Sequence, residues 1–244
     1  MRYSFVAVPF RTKADTWPTG RKRHLYYSPS DDIAMCKNFG YMPFYVSAED
    51  EIERALELCD GLFIPGNEKN IHPSYWGELS DEPFPNPDDF LLDKTLILAF
   101  HKVHKPILGI CGGLQSIAVT FGGSLKRVEG HNDNTTGKEC RHPIADRFSS
   151  AGIRKPDFRK PVNSYHNWAV DRVPEGFQVD ATHFDHSDEI EAIITTAETT
   201  KNRGFVYGMQ WHPEIMLDDK DRCLQLSVFF TRCEKIHYGK GTWL

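Results

Sequence analysis

Pro106-Ile-Leu-Gly-Ile-Cys-Gly-Gly-Leu-Gln115 is the stretch on which the fold of this 244-residue chain turns. Residues 106–110 form a short apolar run opened by proline, the pattern of a strand buried on both faces. Residues 114–121 follow with Leu114, Ile117, Ala118 and Phe121 at i, i+3, i+4 and i+7, a helical period. Gly109-Ile110-Cys111-Gly112-Gly113 joins the two with no room for a loop. A strand that turns so sharply into a helix strains the backbone of its central residue, and side chains two positions either way would collide, so glycine stands there. The apex residue is cysteine, in the arrangement that presents a nucleophile. At a helix N-terminus the unpaired N–H groups and the dipole favour a thiolate. The N–H of Gly112 is then the natural first donor to a developing oxyanion. Gly-x-Cys-x-Gly alone fits an inert buried cysteine equally well. The flanking strand and helix favour the reactive reading.

Working outward toward the N-terminus, the same rhythm repeats. Residues 3–9 read as a buried strand. Ser30 caps a helix through 31–39 that Gly40 ends, and 41–46 is the next strand. Ser47-x-x-Asp50 opens a helix over 49–59 in the manner of a capping box, and 61–65 is a third strand. A long Pro-, Asn- and Gly-rich loop spans 66–87, a length typical of functional loops. It precedes a helix over 88–104. Strand and helix in alternation predict an α/β fold with a mostly parallel central sheet and helices on both faces. The second half differs: 177–182, 191–196 and 204–210 are short β runs, two of them alternating, which suits antiparallel additions to the sheet. A helix over 218–237 closes the chain, with Cys223, Leu224, Leu226, Val228, Phe229 and Phe230 as a core-facing surface. No composition break marks a seam, so 1–244 reads as a single domain.

Composition excludes several classes. Hydrophobic residues make up 40% and charged residues 26%, with a net charge of -5. Basic residues are scattered apart from Arg21-Lys22-Arg23, which argues against a nucleic-acid partner. No signal peptide or membrane-length apolar run is seen. Six cysteines without a C-x-x-C pair suggest reduced thiols and a cytoplasmic location. No metal site is expected: His101 and His104 read as a solvated helix face, and His131 and His142 flank a polar stretch read as a mobile connection. No cofactor is expected either.

The second chemical signal is Gly204-Phe-Val-Tyr-Gly-Met-Gln-Trp-His-Pro-Glu214. Residues i and i+2 of a strand share a side, so Glu214 can turn back on the His212 ring. A carboxylate on one ring nitrogen fixes the tautomer and leaves the other to take a proton from Cys111. Pro213 leaves the pair at a C-terminal strand end, where open α/β sheets build their sites.

Elbow and His-Pro-Glu, in this order, resemble the class I glutamine amidotransferases. Their Cys-His-Glu triad corresponds here to Cys111, His212 and Glu214. Residues 62–78, Leu-Phe-Ile-Pro-Gly-Asn-Glu-Lys-Asn-Ile-His-Pro-Ser-Tyr-Trp-Gly-Glu, and Val162-Asn-Ser-Tyr-His-Asn167 are similar to segments of the γ-glutamyl-γ-aminobutyrate hydrolases, the peptidase C26 group. The resemblance implies a flavodoxin-like three-layer sandwich and hydrolysis of a γ-glutamyl amide through a glutamyl-thioester. It further implies a second oxyanion donor at Gly66 or Asn67, and a substrate pocket that involves Gln115, His166, Asn163, Ser164 and Tyr165. A small γ-glutamyl compound is the implied partner, and a homodimer stays open. Relatives more often carry Arg at the position of Gly112, and Gly-Gln or His-Gln where Asn167-Trp168 stands here. Two other readings share these residues: a glutaminase subunit that feeds ammonia to a separate synthetase, and a non-catalytic thiol-sensor or binding domain.

Overall fold

The computed structural model describes residues 4–85, 87–132, 140–146, 161–218 and 223–238. In chain order the elements are β1 (Phe5–Pro9), β2 (Arg11–Thr16), β3 (Lys22–Tyr27), α1 (Ser30–Asn38), β4 (Met42–Val46), α2 (Ile52–Leu58), β5 (Gly61–Ile64), α3 (Asp89–Lys102), β6 (Ile107–Ile110) and α4 (Gly112–Thr120). The second half continues with β7 (Ser124–Arg127), β8 (Arg141–His142), β9 (Ile144–Asp146), β10 (Val162–Asn163), β11 (Trp168–Arg172), β12 (Phe177–His183), β13 (Ile190–Thr195), α5 (Ala197–Arg203), β14 (Val206–Met209) and α6 (Leu224–His237).

The main sheet runs β4-β1-β5-β6-β14-β13-β11-β7, with β12 and β9 attached beyond β13. From β4 to β14 every pairing is parallel. From β14 outward every pairing is antiparallel. This is the α/β sandwich with antiparallel additions that the sequence predicts. Successive residues of the parallel strands enter opposite cores. Val6, Val8, Leu108 and Ile110 pack with Met35 of α1 and Leu226, Phe229 and Phe230 of α6. Ala7, Leu62, Ile64 and Ile107 pack with Leu96, Ile97 and Phe100 of α3 and Leu114 and Ile117 of α4. Burial on both faces is why these strands read as unbroken apolar runs.

The glycines of the elbow are there because α4 lies almost on the sheet. A Cβ on Gly113 would overlap the Ile64 carbonyl, and one on Gly109 would stand 2.6 Å from the Gly113 carbonyl. On the neighbouring strand a Cβ at Gly208 would stand 2.7 Å from the Leu114 side chain.

Several local expectations are corrected. Residues 11–27 form a β2–β3 hairpin paired from Arg11↔Tyr27 to Thr16↔Lys22, which sequence reading missed. Its strands are largely polar, so no apolar period announces them. Ser30 is the first residue of α1 rather than its cap; Pro29 holds the cap position and makes no side-chain cap bond. Asp50 does not close a capping box. Glu51 does, with Oε2 accepting from the N–H of Ser47 at 2.6 Å and of Ala48 at 3.2 Å, and the helix proper begins only at Ile52. His104 lies beyond α3 with φ at 60°. His101 stands edge-on against Phe121 at 4.8 Å, not on a fully solvated face. The centre of the polar stretch between His131 and His142 lies outside the described residues. His131 and His142 themselves are buried. None of the six cysteines, all of them among the described residues, forms a disulfide.

Gly113→Ala is expected to cost roughly 1–3 kcal/mol by overpacking α4 against β5, read as a lower urea midpoint at unchanged slope. An unchanged midpoint would mean that the helix is not seated on the Ile64 backbone.

Candidate active site

Cys111 occupies the predicted strained position, with φ 51° and ψ -108°, immediately before α4. Its N–H donates to the Met209 carbonyl at 2.8 Å, which ties the elbow to β14. Strand β14 pairs Gly208 with Gly109 and Met209 with Ile110, so the chain leaves both strands at the same end of the sheet. Just beyond the end of β14, His212 meets Cys111. His212 Nδ1 lies 2.5 Å from Glu214 Oε1. That leaves Nε2 for the side-chain hydrogen bond between His212 and Cys111. Burial alone would strip the proton from His212. The Cys111 sulfur and the Glu214 carboxylate outweigh it and hold the imidazole well above its ordinary 6.5. The triad residues named from sequence are therefore together, with Glu214 buried behind the imidazole.

The turn after β5 closes over this pair. A methyl group on Gly66 would stand 3.1 Å from His212 Cε1 and 3.8 Å from Cys111 Cβ. A Cβ on Gly112 would stand 2.8 Å from the Asn67 nitrogen. Glycine is thus the residue that fits at 112 while Asn67 approaches this closely. The turn is aimed by Arg11, which is 1% exposed. Its guanidinium donates to the carbonyls of Pro65 and Gly66, the latter at 2.9 Å. In a trans peptide the C=O and N–H point opposite ways. The N–H groups of Gly66 and Asn67 therefore face away from Arg11. Arg11 is in turn held by Asp93 of α3 at 2.7 Å, and Asp93 accepts from Ser116 of α4 at 2.8 Å. Asn67 is further fixed by Asp89, which accepts from its side-chain amide at 3.2 Å and is paired to Lys69. Arg11, Asp93 and Asp89 carried no motif, and sequence reading did not find them. A buried arginine on a polar strand gives no periodic signal.

Cys111, His212 and the Gly66–Asn67–Gly112 backbone open onto a cavity of about 490 Å³. Gln115, Tyr165 and His166 line it, as do Asn167 and Trp168. Asn163 and Ser164 are instead fully buried and lie behind the wall. Asn163 clamps the His212 backbone, accepting from its N–H at 2.8 Å and donating to its carbonyl at 3.0 Å. Ser164 Oγ lies 3.1 Å from His131 Nδ1. Neither lines the cavity, so the structure places both as supports of its wall where substrate contacts were expected. Gln210, unnoticed in sequence, donates its amide to Cys111 Sγ at 3.6 Å.

Residues 6–214 match the profile of the family described as Peptidase C26. The chain belongs to that family. The match runs from β1 to Glu214, so it encloses Cys111, His212 and Glu214. The chain is 30% identical over 187 residues to the gamma-glutamyl-gamma-aminobutyrate hydrolase of Escherichia coli O157:H7, over 71% of each chain. It is 26% identical over 231 residues to Protein NtpR of Enterococcus hirae, over 88% of this chain and 92% of that one. A Thermoplasma acidophilum protein assigned to GMP synthase superposes with TM-score 0.62 over 98% of each chain at 16% identity, a likeness of fold. No helix among the described residues is long and apolar enough to cross a membrane.

Behind the triad, Asp32 of α1 is 3% exposed. Burial first, and then the charge of Glu214, push its carboxyl from 3.8 to about 8. A carboxyl raised in the fold takes up a proton on folding between those two values, so its contribution favours the folded state less as pH rises through that window. Asp32→Asn, neutral throughout, should gain stability over the parent between pH 5 and pH 8, by at most about 1.4 kcal/mol per pH unit. Melting curves of both proteins across that range check this; parallel curves would show that Asp32 is ionised in the fold.

Proposed function

We propose that this chain is a cysteine-dependent hydrolase that cleaves a γ-glutamyl amide bond and releases glutamate and an amine. The observation that carries the reading is the convergence of Cys111, His212 and Glu214 with the N–H groups of Gly66, Asn67 and Gly112 at one cavity. Cys111 Sγ, a thiolate whose proton is already on His212, attacks the γ-carbonyl. The carbonyl oxygen, now an oxyanion, accepts from Gly112 N–H and from the N–H of Gly66 or Asn67. Collapse expels the amine with the proton returned by His212, and leaves a glutamyl-thioester. His212 then takes a proton from water, whose oxygen attacks the thioester; collapse frees the glutamate and expels Cys111 as a thiolate beside the protonated His212. Cys36 and Cys59 suit no such role: burial pushes their thiols up to about 12.

Cys111→Ala is expected to reduce glutamate release from γ-glutamyl amines by on the order of 10⁴-fold or more, with melting temperature preserved. Turnover within tenfold of the parent would defeat the assignment. Glutamine as the best substrate in the same assay would transfer the chain to the ammonia-supplying class.

The charge of the cavity wall supports a finer reading. Asp31, Glu68 and Glu214 line it, and among the described lining residues there is no lysine or arginine. Glu214 is engaged by His212, which leaves two carboxylates toward the substrate. An amine product with a second, positive amino group suits that wall, whereas a leaving group with a carboxylate meets like charge. We therefore expect kcat/KM for a γ-glutamyl diamine or polyamine to exceed that for γ-glutamyl-γ-aminobutyrate by about tenfold, equal to ~1.4 kcal/mol, and Glu68→Gln to narrow the gap. A preference for the anionic amide would overturn this.

A further inference from the structure

Beside the cavity, but not used by the chemistry above, lies a buried group of histidines drawn from distant parts of the chain. His131 follows β7, His142 ends β8, His166 follows β10, and Glu191 lies in β13. They are 4%, 7%, 5% and 1% exposed. One ligand-capable atom from each lies within 4.8 Å of those of the others. A tetrahedral zinc ion with bonds of about 2.05 Å sets its ligands about 3.3 Å apart. His142 Nε2 and Glu191 Oε1 already stand at 3.4 Å.

The hydrogen bonding inside the group is incomplete in one consistent direction. His166 Nδ1 donates to the Trp168 carbonyl at 3.0 Å, which directs the lone pair to Nε2. His142 Nδ1 is turned to the Pro143 carbonyl at 3.5 Å. His131 Nε2 meets the Glu189 carboxylate at 2.7 Å, the outer carboxylate that commonly orients a metal-bound imidazole; its Nδ1, 3.1 Å from Ser164 Oγ, is then the nitrogen that would ligate in place of that hydrogen bond. On the inner side, Nε2 of His142, Nε2 of His166 and both oxygens of Glu191 have no hydrogen-bond partner. Lone pairs facing one another inside a protein are costly unless a cation or a proton lies between them. His183, although close to His142, fits less well: its Nδ1 accepts from the N–H groups of Asp185 and His186, each at 3.1 Å.

We propose that His131, His142, His166 and Glu191 form a site for a zinc-class divalent cation. Three imidazoles and one carboxylate are a donor set that suits zinc better than magnesium or calcium. A cation here would tie β8 and β13 to the segment 162–167. That segment clamps the His212 backbone through Asn163 and sets Tyr165 against the His212 ring at 5.6 Å. The ion would therefore act as a fastener beside the site.

The test uses the full chain carrying Cys111→Ala, so that the thiol–imidazole pair cannot capture metal and the result does not depend on the proposed hydrolysis. After stripping with a chelator, the protein is titrated with Zn²⁺ and, separately, with Co²⁺. One zinc per chain is expected. The cobalt form should show the visible bands of a tetrahedral nitrogen–oxygen site without thiolate charge transfer, and zinc should raise the melting temperature. His142→Ala or Glu191→Gln, added to that background, should weaken zinc binding about tenfold or more. Glu191→Gln without metal should melt no lower than its parent, which shows that it folds. No stoichiometric zinc, or zinc held equally well by both variants, would overturn the site and leave a buried cluster closed by a protonated Glu191.

Discussion

The left-handed backbone at Cys111 is the constraint from which the rest of the site follows. A cysteine at φ 51° is unfavourable on its own. It persists because α4 is pressed onto β5, β6 and β14 where Gly113, Gly109 and Gly208 leave room for it. That contact places the sulfur at the start of a helix, directs the Gly112 N–H outward, and brings the Asn67 backbone across from it. Arg11 completes the arrangement from the opposite side, taking two carbonyls of the turn after β5 and so fixing which way its N–H groups face.

The site is thus held by two kinds of force. Close apolar packing between helix and sheet sets Cys111. A buried polar chain of Arg11, Asp93 and Ser116 sets the turn opposite it. The second kind is unforgiving, because loss of one member leaves a buried charge without its partner. Glu214 and Asp32 extend the same logic behind His212. One carboxylate steers the imidazole, and the other is kept protonated by burial and by its neighbour's charge.

How much of this was legible in the sequence depended on the force responsible. The parallel strands and the elbow were legible because burial on both faces writes continuous apolar runs, and because close backbone approach demands glycine at 109 and 113. Cys111, His212 and Glu214 stand in short motifs whose spacing maps directly onto a turn and a strand end. The β2–β3 hairpin was not legible, since what it buries is Arg11, a charge that pairs with a residue 82 positions away. Asn163 and Ser164 were recognised as belonging near the site but were given the wrong face, because sequence does not say which side of a wall a residue occupies. The histidine group was invisible for a related reason: its members are separated by long stretches with no ligand spacing, and only the folding of the second half of the chain brings them together.

Cys111 and His212 leave adjacent parallel strands joined by main-chain hydrogen bonds, with Met209 opposite Ile110 and its carbonyl bound to the Cys111 amide. Their separation is therefore a property of the ladder and not of the loops that surround the substrate. Lengthening or replacing those loops alters which molecules reach the sulfur while the reacting pair stays in register. A scaffold built this way can exchange one small-molecule partner for another over evolutionary time while its thiol and imidazole keep their geometry.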